Sequence, residues 1–413
     1  MPQSYPRVKL ACYTSNIAMS VVSNLSPLLF LTFRSLYGIS YSLLGLLVLV
    51  NFVTQLSVDL IFSFFSHKFN IEKSVKAIPI LTASGLLLYA AAPLLFPNAV
   101  YLGLVLGTVV FAASGGFVEV LLSPVIAAIP SENPDREMSK LHSVYAWGVV
   151  GVVLFSSLFL LLFGAHRWQW LVLALVLIPV FSAVLFFSAK FPPMEKGEKA
   201  SGTHGLFGKR ILWVCFLGLF LGGAAECTMA QWSSGYLEQA LGIPKIWGDI
   251  FGVALFAMML GLGRTLYAKY GTRIERVLLL GAIGATLCYF ISTVVPIAVI
   301  GLIACALTGF CVSMLWPGSL IAVADRIPTG GVVMYAMMAA GGDLGASVGP
   351  QLVGIITDKV MANPDATALA LRFGMNAEQL GMKCGMLVGM IFPLLAIPIF
   401  IVLCRTKKKE NSK

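Results

Sequence analysis

Charged side chains are scarce in this sequence, making up 11% of its 413 residues, where a soluble domain carries about 25%. So few charges cannot cover a water-exposed surface. A soluble enzyme, a disordered chain and a secreted disulfide module are therefore all excluded. Eight cysteines are present, yet none stands in a CxxC pair or beside a histidine, so neither a disulfide framework nor a zinc site is expected. No cleavable signal peptide is expected either. The first apolar run, residues 10–33, is too long for an h-region and has no small-residue cleavage site. The phosphate-binding pattern GxxxxGK[ST] is missing, which excludes ATP-driven transport within this chain. The segment Ala340-Gly341-Gly342-Asp343 is not the GxGD of an intramembrane protease and has no convincing second aspartate. No enzyme, no cofactor and no metal is expected.

What is abundant is apolar length. Hydrophobic residues make up 58% of the chain and the mean hydropathy is +0.90. A bilayer core takes about 20 apolar residues per helix. Twelve such runs can be marked between residues 10–33 and 381–404, and runs this long and continuous satisfy their backbone in lipid only as helices. The expected fold is an all-α polytopic membrane protein of 12 transmembrane helices. The net charge of +10 does not indicate nucleic acid, because the basic residues lie in short segments between apolar runs. Roughly 22 of the 28 basic residues fall on the side that carries both termini, and Arg34, Arg167, Lys245, Lys359, Arg372 and Lys383 fall on the other. That asymmetry predicts a multi-pass protein of the cell membrane with both termini cytoplasmic.

A polar, proline- and glycine-containing stretch at 190–209 reads as a cytoplasmic linker. It predicts an N-terminal six-helix bundle, 1–189, and a C-terminal one, 210–413. The halves carry traces of a repeat. Gly116-Phe117 followed by Ser123-Pro124 in span four is matched by Gly309-Phe310 followed by Trp316-Pro317 in span ten. Duplicated halves related by an axis along the membrane normal are the major facilitator arrangement.

Three acids lie well inside spans: Glu119, Glu226 and Asp343. Facing lipid, the set would cost on the order of 8–10 kcal/mol, so they are expected to face polar surroundings. No lysine or arginine is expected deep in a span, since Arg34 and Arg264 lie toward helix ends. Without a fixed cation the acids must be protonated, bind a cation or hydrogen-bond a neutral ligand, which argues against anionic cargo.

Span seven holds the densest polar-aromatic cluster, with Glu226, Gln231 and Trp232 following Gly222-Gly223. Glu226 and Trp232 do not share a face of a straight helix, so a kink is needed to bring them to one cavity. Together they suit a sugar, with polar groups for hydroxyls and an indole for the C–H face. Tyr145, Trp147 and Asn24 complete the candidate substrate-binding set. Candidate gating residues are Asp343, Asp59, Gln55 and His142; Gln55 and Asp59, one turn apart, could bond each other. Gly341, Gly345 and Gly349 form a small-residue stripe that suits close helix packing or a hinge.

On these residues the chain resembles the major facilitator superfamily, and within it the fucose-permease-like sugar:proton symporters. Gly116-Phe117-Val118-Glu119 is similar to that group's membrane-embedded glutamate, which implies proton coupling at Glu119. Gly223-Ala224-Ala225-Glu226 with Trp232 resembles its Gly-Ala-Glu…Trp signature, which implies sugar contact by Glu226, Gln231 and Trp232. The group's acidic residue in span one has no counterpart here, where Asn16 and Asn24 stand instead. The expected function is secondary active transport, by alternating access, of a small neutral polar solute of the sugar type, acting as a monomer with a proton, or alternatively sodium, as coupling ion. The alternatives are efflux of cationic or amphipathic compounds and a non-transporting receptor-like role.

Overall fold

The computed structural model describes residues 5–65, 68–131, 134–193, 206–271, 273–328 and 331–410, and those residues form helices and short connections with no strand among them. The expected linker at 190–209 lies mostly outside the described residues. In chain order the first half comprises α1 (Pro6–Leu28), α2 (Phe30–Tyr37), α3 (Tyr41–Phe65), α4 (Ile71–Leu95), α5 (Val100–Ala127), α6 (Pro134–Phe163) and α7 (Trp168–Phe187). The second comprises α8 (Arg210–Leu241), α9 (Lys245–Trp247), a π-helical turn at Gly248–Ala254, α10 (Leu255–Tyr270), α11 (Ile274–Val294), α12 (Ala298–Val312) and α13 (Leu315–Arg326). It closes with α14 (Gly331–Met361), α15 (Pro364–Arg372), α16 (Ala377–Gly389) and α17 (Ile391–Glu410). Ten described helices or helix pairs are long and apolar enough to cross a bilayer, and α1 with α2, bent by 45°, makes an eleventh. Pro27 lies just before that bend and removes a helical hydrogen bond there. At 31 residues, α14 has the length of a twelfth.

The chain divides into two compact units. The first contains Met1–Gly38 and Val50–Ala200, the second Ile39–Leu49 and Ser201–Lys413. The opening turns of α3 thus pack within the second unit, where Asp358 accepts hydrogen bonds from the Tyr41 and Ser42 backbone N–H groups at 3.1 and 2.6 Å and from Ser42 Oγ at 2.6 Å. The carboxylate caps the start of α3, where unpaired N–H groups and the helix dipole both favour negative charge. Tyr41 OH donates to Glu378 Oε1 at 2.7 Å.

Glycines set the close contacts inside each unit. In the first, a Cβ on Gly107 would lie 2.8 Å from the Tyr89 backbone, so α4 and α5 touch along their main chains. In the second, Gly341, Gly345 and Gly349 of α14 face Phe216, Phe220 and Ala224 of α8. The paired motifs occupy corresponding places. Gly116 packs on Val58 of α3, the second span, and Gly309 on Phe256 of α10, the eighth.

One ionic cluster ties the first unit outside its apolar spans. Glu137, ahead of the apolar stretch Ser143–Phe163, is paired with Lys9 and with Lys140 at 3.0 Å, and accepts from Tyr13 OH at 3.2 Å. The hydrogen bonds from Lys9 and Lys140 lower its carboxyl to about 2. The folded value lies below the ordinary one, so the stabilisation is present above the unfolded pKa and is lost as pH falls toward 2. Glu137→Gln is accordingly expected to lower the melting temperature at pH 7, with the difference from wild type shrinking steadily below pH 4.5. A difference that stays constant from pH 7 to pH 3 would contradict this.

Candidate functional site

In the first unit, Asn51, Gln55 and Asp59 recur every four residues along α3 and share one buried face. Opposite them, Gly115 and Gly116 of α5 leave no side chain in the way. A Cβ on Gly115 would come within 3.1 Å of the Gln55 amide, and one on Gly116 within 3.0 Å of an Asp59 oxygen. One turn further along α5, the exposed Glu119 brings a carboxylate oxygen within 4.8 Å of one on Asp59. Two ionised carboxylates at this separation repel, which favours a proton on one of them. The expected Gln55–Asp59 bond is not formed. Asp59 lies beside Glu119, while the Gln55 amide nitrogen and oxygen and Asn51 Oδ1 are buried with no hydrogen-bond partner among the described residues.

The remaining candidates of this unit are more dispersed. Asn24 Nδ2 donates to the Ser20 carbonyl at 2.9 Å and the side chain is half-buried. Tyr145 is half-buried, and Trp147 is 70% exposed. His142 lies on α6, with its side chain outside the described residues. Asn16 ties α1 to α6 through a 2.7 Å bond to the Leu141 carbonyl, a packing role.

In the second unit the expectation of acids without a cationic partner is corrected. Arg264 Nη2 reaches Glu226 Oε1 at 3.3 Å. Arg264 begins toward the Tyr270 end of α10, but its long side chain turns inward, and its Nε donates to the Ser313 carbonyl at 3.1 Å. That carbonyl is open for a reason readable in the sequence. Its helical partner would be the N–H of residue 317, which is Pro317 and has none. The span is accordingly broken between Val312 and Leu315.

Span seven forms one continuous helix. α8 runs unbroken from Arg210 to Leu241, and Gly222 and Gly223 instead admit Leu315 and the Gly342 carbonyl. By the helical period Trp232 lies about 240° round from Glu226. It is 1% exposed, its indole N–H donates to the Pro350 carbonyl at 2.9 Å, and its ring lies 5.8 Å from that of Tyr41. Gln231 and Asp343 are both buried. Thr228 Oγ1, Ser233 Oγ and Glu226 Oε2 are buried without hydrogen-bond partners among the described residues, so the middle of α8 offers unused polar capacity. Asp249, in the π-helical turn, was not singled out from sequence. It is fully buried and held by Ser234 and by Lys245 at 3.2 Å.

Long apolar helices in two units, each holding ionisable side chains inside its spans, define a helical membrane protein of the transporter type. The Major Facilitator Superfamily profile matches residues 11–350, and the chain belongs to that superfamily, whose members are transporters rather than enzymes. Solved structures share the fold at low identity. A D-xylose-proton symporter is 16% identical, covering 96% of this chain and 99% of its own, with a TM-score of 0.67. A variant of the E. coli fucose:proton symporter is also 16% identical, covering 98% and 99%, with a TM-score of 0.60. A bacterial homologue of the human lysosomal transporter Spinster is 14% identical, covering 98% and 96%, with a TM-score of 0.72. No curated protein sequence matches the chain.

Proposed function

We propose that this protein is a solute:proton symporter for a small polyhydroxylated solute, a sugar or sugar derivative, working by alternating access in the cell membrane with both termini cytoplasmic. The observation that carries the reading is the close approach of the Asp59 and Glu119 carboxyls within the first unit, with oxygens no more than 4.8 Å apart. Two carboxyls this close share their negative charge poorly, so the pair is suited to take up and release one proton, with Glu119 open to its surroundings. Glu119 is the coupling site and Asp59 its partner. Gln55, Asn51 and Asn24, with the aromatic rings of Tyr145 and Trp147, offer hydroxyl and C–H contacts on this side. In the second unit, Glu226 and Gln231 offer polar contacts of their own. Trp232 supports α14 and the start of α3 and acts on the solute through their position, while Asp343 and His142 serve the gate.

Sugar:proton symporters among the structural neighbours support this reading, although the likeness itself is one of fold. Efflux of cationic compounds has less support, because Arg264 sits on the acid that such compounds would need. The test is uptake into proteoliposomes of the purified chain under an imposed inward proton gradient. Labelled hexoses or pentoses should accumulate and a protonophore should abolish the accumulation. Gradient-driven extrusion of a cationic dye with no sugar uptake would overturn the reading.

A further inference from the structure

Arg264 has two fixed hydrogen bonds and an unused edge. Its Nε is anchored on the Ser313 carbonyl, and its contact with Glu226 is 3.3 Å, longer than the roughly 2.7–2.9 Å of a tight charge-assisted bond. Nη1 makes no hydrogen bond among the described residues, and the side chain is 44% exposed. An arginine near a helix end usually carries its charge out to the interface. This one points the other way, toward Glu226, which is sixteen residues or about 24 Å along α8 from Arg210. An exposed guanidinium edge at that depth must meet water or a ligand rather than lipid.

We propose that Arg264 is an anion subsite that receives the carboxylate of an acidic polyhydroxylated solute, a sugar acid, once Glu226 has taken up a proton and let go of it. This rests on the transporter reading and narrows its substrate class. The free Nη1 edge and the Nη2 hydrogen released by Glu226 form a fork of parallel N–H donors that matches a planar carboxylate.

Charge counting favours a monoanion. Arg264 with ionised Glu226 is neutral, protonation leaves one positive charge, and one carboxylate restores neutrality. A phosphate dianion would need a second cation. Three other cations on the helices of this unit are engaged: Lys245 with Asp249, Arg326 with Glu275, and Lys383 with the Thr293 carbonyl. Asp343 on α14 adds only negative charge, and Arg264 is the charged group that acts on Glu226.

The test is equilibrium binding to the purified full chain, with D-glucuronate, D-galacturonate and D-gluconate as acids, D-glucose and D-galactose as neutral controls, and glucose 6-phosphate as the dianion. Glu226→Gln, which cannot hold Arg264 as a carboxylate does, should bind at least one sugar acid about tenfold or more tightly than wild type. Arg264→Gln should lose about tenfold or more for the same acid while changing a neutral sugar less than threefold, and Arg264→Lys should fall between. Melting curves establish that each variant is folded. Neutral sugars that bind, with no sugar acid tightened by Glu226→Gln, overturn the subsite and leave the symporter reading in place. Preference for glucose 6-phosphate over every sugar acid also overturns it. Failure of both acids and neutral sugars to bind folded wild-type protein overturns the sugar reading and the subsite with it.

Discussion

Glu119→Gln is expected to abolish accumulation of the solute against a gradient while leaving exchange of solute across the membrane measurable. The amide keeps the size of the carboxyl and can still donate an N–H to Asp59, so the contact between α3 and α5 survives. It cannot gain or lose a proton, however, and the coupling cycle stops. One proton moving down 100 mV supplies about 2.3 kcal/mol, enough for roughly forty-fold accumulation at about 1.4 kcal/mol per tenfold. The whole of that factor should vanish in the variant, with uptake levelling off at equal concentrations inside and out. Asp59→Asn provides the companion measurement. It removes the other half of the shared-proton pair and is expected to weaken coupling rather than remove it, because Glu119 keeps its own titratable carboxyl. Protonophore-sensitive accumulation that persists at full extent in Glu119→Gln would show that the coupling proton binds elsewhere.

Apolar length is a local property, which is why the spans and the superfamily could be read from sequence alone. The same holds for Glu119, Glu226 and Asp343, since a carboxyl inside a twenty-residue apolar run stands out whatever it touches. Partnership is not local. Asp59 was assigned to Gln55 because they lie one turn apart, but Gly115 and Gly116, some 60 residues later, bring α5 close enough to set Glu119 beside it. Arg264 was placed by its Cα, toward the end of a span, whereas its charge lies a full side chain away. The signal that could have located it is Pro317, which frees the Ser313 carbonyl four residues earlier and so creates an acceptor inside a span. The role of Gly222 and Gly223 depends on neighbours in the same way. Glycine in a membrane helix permits either bending or close approach, and only the neighbours, Leu315 and Gly342, decide which. Trp232 followed the helical wheel of a continuous α8 and so parted from Glu226.

The same ambiguity attaches to the stripe of Gly341, Gly345 and Gly349, and there a single substitution separates packing from hinge. Gly345→Val is expected to unfold the second unit or lower its melting temperature by about 5 °C or more. A Cβ at this position would overlap the Phe220 carbonyl and stand 2.9 Å from the Ala224 nitrogen. These two atoms are the partners of one helical hydrogen bond in α8, so neither can yield as the tip of a side chain would. Valine is also held to one favoured rotamer in a helix, which removes the escape open to a longer, unbranched residue. Overpacking of this kind costs about 1–3 kcal/mol. It should be felt in full here, because lipid offers no hydrophobic drive to hold α8 and α14 together once their surfaces separate. Gly261→Val is the control. It lies in α10 with nothing within 4 Å of its would-be Cβ, and valine there should leave the melting temperature within about 2 °C of wild type. If Gly345→Val instead melts like the control yet transports slowly, the glycine serves motion rather than contact, and α14 must leave α8 during the cycle.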